Sequence, residues 1–258
     1  MSTTIATDAI EYLTRSDGNR LAYVHTPGDA PGVLFCGGFM SDMNGTKAQA
    51  LETTCRHMNR AFTRFDYLGH GRSSGEFTAG TIGRWADDAT AVLDLFDPEP
   101  HVIVGSSMGG WIMLLVALAR RERVAGLVGI AAAPDFTEKL MWLGYDKETR
   151  ETLRRDGMYL EPSIYGEEPY PITLKLIVEG RDHLLLDAPI PVACPVRLLH
   201  GMQDPDVPWR HSLALAEALL SADVRTSFIK DGDHRLSRDQ DIALICQTVA
   251  ELCEQIGG

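Results

Sequence analysis

Three polar residues, widely separated along the 258-residue chain, carry the chemistry it is equipped for. They are a serine in Gly105-Ser106-Ser107-Met108-Gly109, an aspartate in His200-Gly201-Met202-Gln203-Asp204-Pro205-Asp206, and a histidine in Asp231-Gly232-Asp233-His234-Arg235. A serine hydroxyl is a weak nucleophile until a neighbouring base takes its proton. An imidazole does this when a carboxylate holds its tautomer and stabilises the imidazolium that forms. Ser107 as nucleophile, His234 as base and Asp204 as the orienting acid would together attack an acyl carbon. Asp206 and Asp233 compete with Asp204 for the acid's part. Asp204 is favoured because Pro205 fixes the turn beside it while Asp206 is placed to cap the next helix.

The negative charge that develops on the substrate oxygen needs two preorganised N–H donors. The amide of Met108, immediately after the nucleophile and at a helix start, is one. The amide of Phe39, in Gly37-Gly38-Phe39-Met40-Ser41-Asp42, is the other, with Gly38 as the alternative. Met40, Trp142, Leu185 and Trp209, with Met108, Met141, Leu184 and Leu186, are the candidates for an apolar acyl pocket. Arg181 and Arg235 are candidates for an anionic leaving group.

These residues must converge, and the pattern of elements says how. The apolar run His101 to Val104 has strand length, the Gly/Ser knot after it makes a sharp turn, and Met108 to Arg121 has helical length. Glycines flank the serine because a Cβ there would strike the neighbouring backbone. Glu11–Arg15 and Arg20–His25 around Ser16-Asp17-Gly18-Asn19 read as an opening hairpin. Strands are expected over Gly32–Cys36, Ala61–Asp66, Val124–Ile130, Cys194–His200 and Val224–Lys230. Helices are expected over Thr46–Asn59, Ile82–Phe96 (ended by Asp97-Pro98), Trp209–Leu220 and Arg238–Gln255.

Alternating strands and helices imply a doubly wound, mostly parallel α/β sheet. Ligands gather outside the carboxyl ends of such strands, where Ser107, Asp204 and His234 all fall. Between about residues 134 and 190 the alternation fails. Charge, aromatics and prolines rise there, and regular structure is reduced to a polar helix Lys147–Arg155 and Leu174–Asp182, so this stretch reads as a small cap inserted into one domain spanning 1–258.

A net charge of −12 speaks against nucleic acid or an anionic membrane as partner. Five cysteines without C-x-x-C spacing suggest neither a disulfide framework nor a zinc site. Cys36, beside the Gly37-Gly38-Phe39 loop, is read as a buried strand-end residue rather than a functional thiol. No metal loop or dinucleotide fingerprint is present, so no cofactor is expected. No run has the length of a membrane span. Met1 to Asp8 carries no targeting pattern, which points to the cytoplasm.

Over nearly its full length the chain resembles the α/β-hydrolase superfamily. The resemblance is carried by Gly37-Gly38-Phe39, Asp66-Tyr67-Leu68-Gly69-His70-Gly71, Gly105-Ser106-Ser107-Met108-Gly109-Gly110, His200-Gly201-Met202-Gln203-Asp204 and Gly232-Asp233-His234. The order Ser, Asp, His is the one that fold uses. Ala133-Pro134-Asp135-Phe136-Thr137, Pro169-Tyr170-Pro171-Ile172-Thr173 and the stretch to Trp209 look more narrowly like bacterial relatives of a mitochondrial palmitoyl-protein thioesterase and acyl-glucuronide esterase. The resemblance implies ester or thioester hydrolysis by Ser107, Asp204 and His234. Gly37 stands where the superfamily commonly has a histidine that supports the oxyanion loop.

Cleavage of small carboxylic esters through an acyl-serine is the leading expectation, with thioester hydrolysis as the alternative. A hydrolase fold turned to binding without catalysis, or carbon–carbon lysis or perhydrolysis on the same scaffold, are further alternatives.

Overall fold

The computed structural model describes residues 9–96, 99–163 and 168–257. Met1–Asp8 and the expected helix terminator Asp97-Pro98 lie outside the described residues. Two strands, β1 (Glu11–Thr14) and β2 (Arg20–Thr26), form the opening antiparallel hairpin. They are followed by β3 (Asp29–Cys36), α1 (Thr46–His57), β4 (Arg60–Phe65), α2 (Ile82–Leu93), β5 (His101–Ser106), α3 (Met108–Ala119) and β6 (Val124–Ile130).

The chain then leaves the sheet. A π-helical turn (Thr137–Trp142) leads to α4 (Lys147–Asp156), β7 (Met158–Glu161), β8 (Tyr170–Thr173) and α5 (Leu174–Gly180). It returns through β9 (Val196–Gly201), α6 (Arg210–Ala218), β10 (Val224–Ile229) and α7 (Asp239–Gly257).

The eight-stranded sheet has the order β1-β2-β4-β3-β5-β6-β9-β10, and β2 alone pairs antiparallel, with β1 and β4. Period-two alternation along the strands feeds two cores. Leu34, Ile103, Leu127 and Leu198 face α2, α3 and α6. Val33, Phe35, Val102, Val104, Val128 and Leu199 face α1 and α7. Helix α3 lies between sheet and α2, which is why it is apolar nearly all round.

Strand order reverses between β3 and β5. The connection from β3 passes over one face and that from β5 over the other, opening a crevice at their carboxyl ends. The loop bearing Phe39 and the turn bearing Ser107 border this crevice.

The inserted segment differs from the expectation in one respect: β7 and β8 form a separate antiparallel hairpin, pairing Met158 with Thr173 and Glu161 with Tyr170. Pro171 sits within β8, a position that a two-stranded ribbon tolerates because one edge of each strand is unpaired. Helix α4 is capped by the Asp146 carboxylate, which accepts from the Thr149 amide at 2.8 Å, and closes on left-handed Gly157. Helix α5 donates its outer face to the body, where the Glu179 carboxylate accepts the Gly83 amide of α2 at 3.0 Å. Among the described residues, no helix is long and apolar enough to cross a membrane.

Candidate active site

Ser107 stands between the last residue of β5 and the first of α3, with φ 55° and ψ −120°. That backbone conformation is strained for any residue with a Cβ, and the surroundings impose it. Its amide donates to the Ile130 carbonyl at 2.9 Å, and its carbonyl accepts the amides of Gly110 and Ala133 at 2.8 and 3.1 Å. The bend brings α3 against β3 so closely that a Cβ on Gly109 would overlap the Cys36 carbonyl oxygen.

The second segment is placed by a backbone contact of the same kind. Gly201, ending β9, has the Gly232 and Asp233 carbonyl oxygens where a Cβ would be. Gln203 donates its amide to the Gly232 carbonyl at 2.9 Å and Met202 to that of Ile229 at 2.8 Å. The turns after β9 and β10 are thereby locked together.

This framework brings Ser107, Asp204 and His234 together. His234 Nε2 is 3.0 Å from Ser107 Oγ, and His234 Nδ1 is 2.8 Å from Asp204 Oδ2. With Nδ1 donating to the carboxylate, Nε2 is left to accept the serine hydrogen. Asp204 has a fully buried side chain. Burial alone would raise its pKa, but hydrogen bonds from His200, His234 and the Val207 amide outweigh it and hold the carboxyl far below the usual carboxylate range. Its Oδ1 accepts the amides of Asp206 and Val207 at 2.9 and 2.8 Å.

The competing acids are elsewhere. Asp233 Oδ1 accepts the Leu236 amide at 2.9 Å. Asp206 is exposed on the cleft wall and does not cap α6, whose N-cap is Trp209. Asp204, Asp206 and His234 present ligand-type atoms within 4.8 Å of one another. Two of the three are already committed to each other and to the serine.

The cleft in front of Ser107 has a volume of about 450 Å³. Gly38, Phe39 and Met108 border it, and a Cβ on Gly38 would lie 3.5 Å from that of Ser107. The inserted segment supplies Phe136, Leu140, Met141 and Tyr170 as an apolar wall. Phe39 sits edge-on to Phe77, Trp85, Phe136 and Tyr170, with centroids 4.9 to 6.1 Å away. At the polar rim Lys47 Nζ donates to the Arg235 carbonyl at 2.6 Å. Burial and the Arg235 charge bring the Lys47 ammonium down to about 8. Across from it Glu161 lines the cleft with Asp206, and burial pushes its carboxyl up.

Four expected pocket residues do not line this cleft. Met40, at φ 52°, turns outward and is 42% exposed. Trp142 is covered by the guanidinium groups of Arg150, Arg154 and Arg181, 5.0 to 5.5 Å from its ring. Leu185 packs into the main core with its amide on Asp135. Trp209 meets Phe228 edge-on at 5.1 Å, below Arg210. Of the other candidates, Met108 and Met141 do line the cleft. Arg235 lines it too, whereas Arg181 is paired with Glu138 at 2.7 Å. Burial pushes the Cys36 thiol up to about 12, so it stays protonated and is no nucleophile.

Sequence reasoning missed His200. Its setting in a Gly-rich turn suggests a residue bonding backbone, which it does at the Val207 carbonyl at 2.9 Å, but that setting gives no hint that the fully buried ring also brings Nε2 to 3.1 Å from Asp204 Oδ2. The run Leu199-His200-Gly201 carried the available signal, a histidine at the buried end of a strand four residues before the acid.

Fold and site together define a hydrolase: the chain belongs to the α/β-hydrolase fold family, whose model matches residues 33–165. It is similar to the mouse protein named palmitoyl-protein thioesterase ABHD10, mitochondrial, with 42% identity over 96% of this chain and 84% of that protein. The structure of mouse alpha/beta hydrolase domain-containing protein 10 superimposes with a TM-score of 0.89 at 41% identity, covering 96% and 99% of the two chains. A crystal structure from Agrobacterium vitis S4 superimposes with a TM-score of 0.92 at 40% identity, covering 95% and 99%.

Proposed function

We propose that the protein is a serine acyl hydrolase that cleaves carboxylic esters through an acyl-Ser107 intermediate. The observation that carries this reading is the unbroken chain from Ser107 Oγ through His234 to Asp204, at 3.0 and 2.8 Å. Ser107 Oγ attacks the acyl carbon while His234 Nε2 takes its proton. Asp204 holds Nδ1–H and stabilises the imidazolium, and the amides of Phe39 and Met108 receive the developing oxyanion. His234 then returns the proton to the departing alcohol. A water molecule, deprotonated by the same imidazole, attacks the acyl-serine and frees the acid.

A second reading, thioester hydrolysis on the same residues, is favoured by the activity in the name of the mouse relative. The leaving group is then a thiolate that needs less help from His234. Burst release of p-nitrophenol from an ester, lost in Ser107→Ala, tests the mechanism, and its absence from the native protein would refute it. Specificity constants for a short-chain ester and a palmitoyl thioester, measured side by side, decide between the readings. A higher value on the thioester puts thioester hydrolysis first.

A further inference from the structure

We infer that His200 is a positioning residue for the reaction, a second histidine that fixes the Asp204 carboxylate at the oxygen His234 also holds. The inference rests on the proposed acyl-serine mechanism and deepens it. His200 belongs to β9, is fully buried and does not border the cleft, so it acts only through its neighbours.

Its proton arrangement follows from its partners. Nε2 is 2.9 Å from the Val207 carbonyl, a group that only accepts, so Nε2 carries the hydrogen. The same N–H reaches Asp204 Oδ2 at 3.1 Å. Nδ1 is 2.6 Å from Oγ of Ser212, a buried residue of α6, and in the neutral ring it accepts the serine hydrogen. The Val207 carbonyl thus sets the tautomer of His200, as Asp204 sets that of His234, and Ser212 satisfies the remaining nitrogen.

Oδ2 of Asp204 is the atom on which both histidines converge. With Oδ1 held by two amides, the carboxylate has four donors and its rotation is blocked. Had the space needed only filling, an apolar side chain would have done so without the cost of burying an imidazole. Each polar atom of the ring instead meets the acid, the turn that carries it, or the hydroxyl that orients it.

Two effects follow. The hydrogen bond stops Asp204 from swinging, which keeps Nε2 of His234 aimed at Ser107. It also disperses charge on Oδ2, so that the carboxylate stabilises the His234 imidazolium less than it otherwise would. The other charged groups facing this cluster are Asp206, Asp233, Lys47 and Arg235 at the rim, Glu161 on the inserted segment and His211 on α6. Substitutions at His200 and Ser212 leave all of them in place.

The test is the pH dependence of p-nitrophenyl butyrate hydrolysis by the full chain, comparing the native protein with Ser107→Ala, His200→Phe, His200→Gln and Ser212→Ala. His200→Phe is expected to lower kcat by about 10- to 100-fold with KM changed less than about threefold, and to move the acid limb to higher pH. Glutamine places an amide N–H near the Nε2 position, so His200→Gln is expected to recover most of the loss. Ser212→Ala is expected to move kcat and the acid limb in the same direction by a smaller amount. A folded His200→Phe with native kcat and acid limb overturns the inference, as does a His200→Gln as impaired as His200→Phe. If His200→Phe does not fold, Ser212→Ala decides, and an unmoved profile overturns the inference. An active native protein whose activity is lost in Ser107→Ala but unaffected by the other variants refutes this inference alone. A native protein without activity refutes the mechanism beneath it as well.

Discussion

The Asp135 carboxylate accepts the backbone amide of Leu185 at 2.8 Å, and its other oxygen accepts that of Leu186 at 2.9 Å. Fifty residues apart, these groups are the departure and return points of the segment that roofs the cleft. Asp135 is fully buried at φ 60°, so its geometry is set by this tie rather than by local preference.

Asp135→Ala leaves two half-buried amides without an acceptor, which costs about 2–4 kcal/mol. We expect the melting temperature to fall by about 4–12 °C. Asp135→Asn retains an acceptor and is expected to fall by less. Thermal unfolding of the three proteins checks this, and equal stability of all three would contradict it.

At the reaction centre, the order of two substitutions should invert. Glycine normally destabilises relative to alanine, but Ser107 occupies a conformation at φ 55° that alanine cannot relax into. Both Ser107→Gly and Ser107→Ala lose the hydroxyl and activity. Ser107→Gly is expected to be the more stable by about 1 kcal/mol, since about 1–3 kcal/mol of strain is released against the entropy cost of glycine. Urea titration of the pair gives the difference directly.

Gly201→Ala presses a methyl group onto the Gly232 and Asp233 carbonyl oxygens. The turn carrying His234 must yield, so we expect a kcat loss of at least about 10-fold with a stability loss of about 1–3 kcal/mol. Steady-state kinetics on p-nitrophenyl butyrate check the first figure and urea titration the second.

His70 makes the fold sensitive to acid. It is buried among Tyr67, Phe77 and Trp85, and burial lowers its pKa to about 4 despite the hydrogen bond from Nδ1 to the Leu68 carbonyl. Its Nε2 has no hydrogen-bond partner. The unfolded chain takes up a proton near pH ~6.5 and the folded chain only near pH 4, so stability is intact above the first value and falls as pH drops through that window. Between about pH 7.5 and about pH 5 this group removes about 2 kcal/mol. His70→Phe is expected to flatten the dependence by that amount, measured as the difference between urea midpoints at the two pH values. An unchanged difference would contradict the assignment.

The features readable in the sequence are those governed by long-range rules. Apolar runs such as Val102-Ile103-Val104 declare buried parallel strands, and polar knots after them fall on one edge whatever the loop details. The hairpin of β7 and β8 is hidden because its strands are four residues long, one contains Pro171, and neither shows clean alternation. Residue type alone suggests Trp142 and Trp209 for the pocket, but it does not say whether an indole faces a cavity or a guanidinium. His200 reaches Asp204 and Val207 within the turn that follows it, but its contact with Ser212 depends on how α6 packs back on that turn, and no local signal encodes that.

Phe39 borders the cleft in front of Ser107 and has its ring wedged between Phe77 and Trp85 of the body and Phe136 and Tyr170 of the inserted segment. Remodelling the roof to admit bulkier guests therefore also disturbs the loop whose amide we propose as an oxyanion donor. Chimeras that exchange residues 134–190 between relatives should keep their fit to this single ring, because selectivity and rate are geared through it.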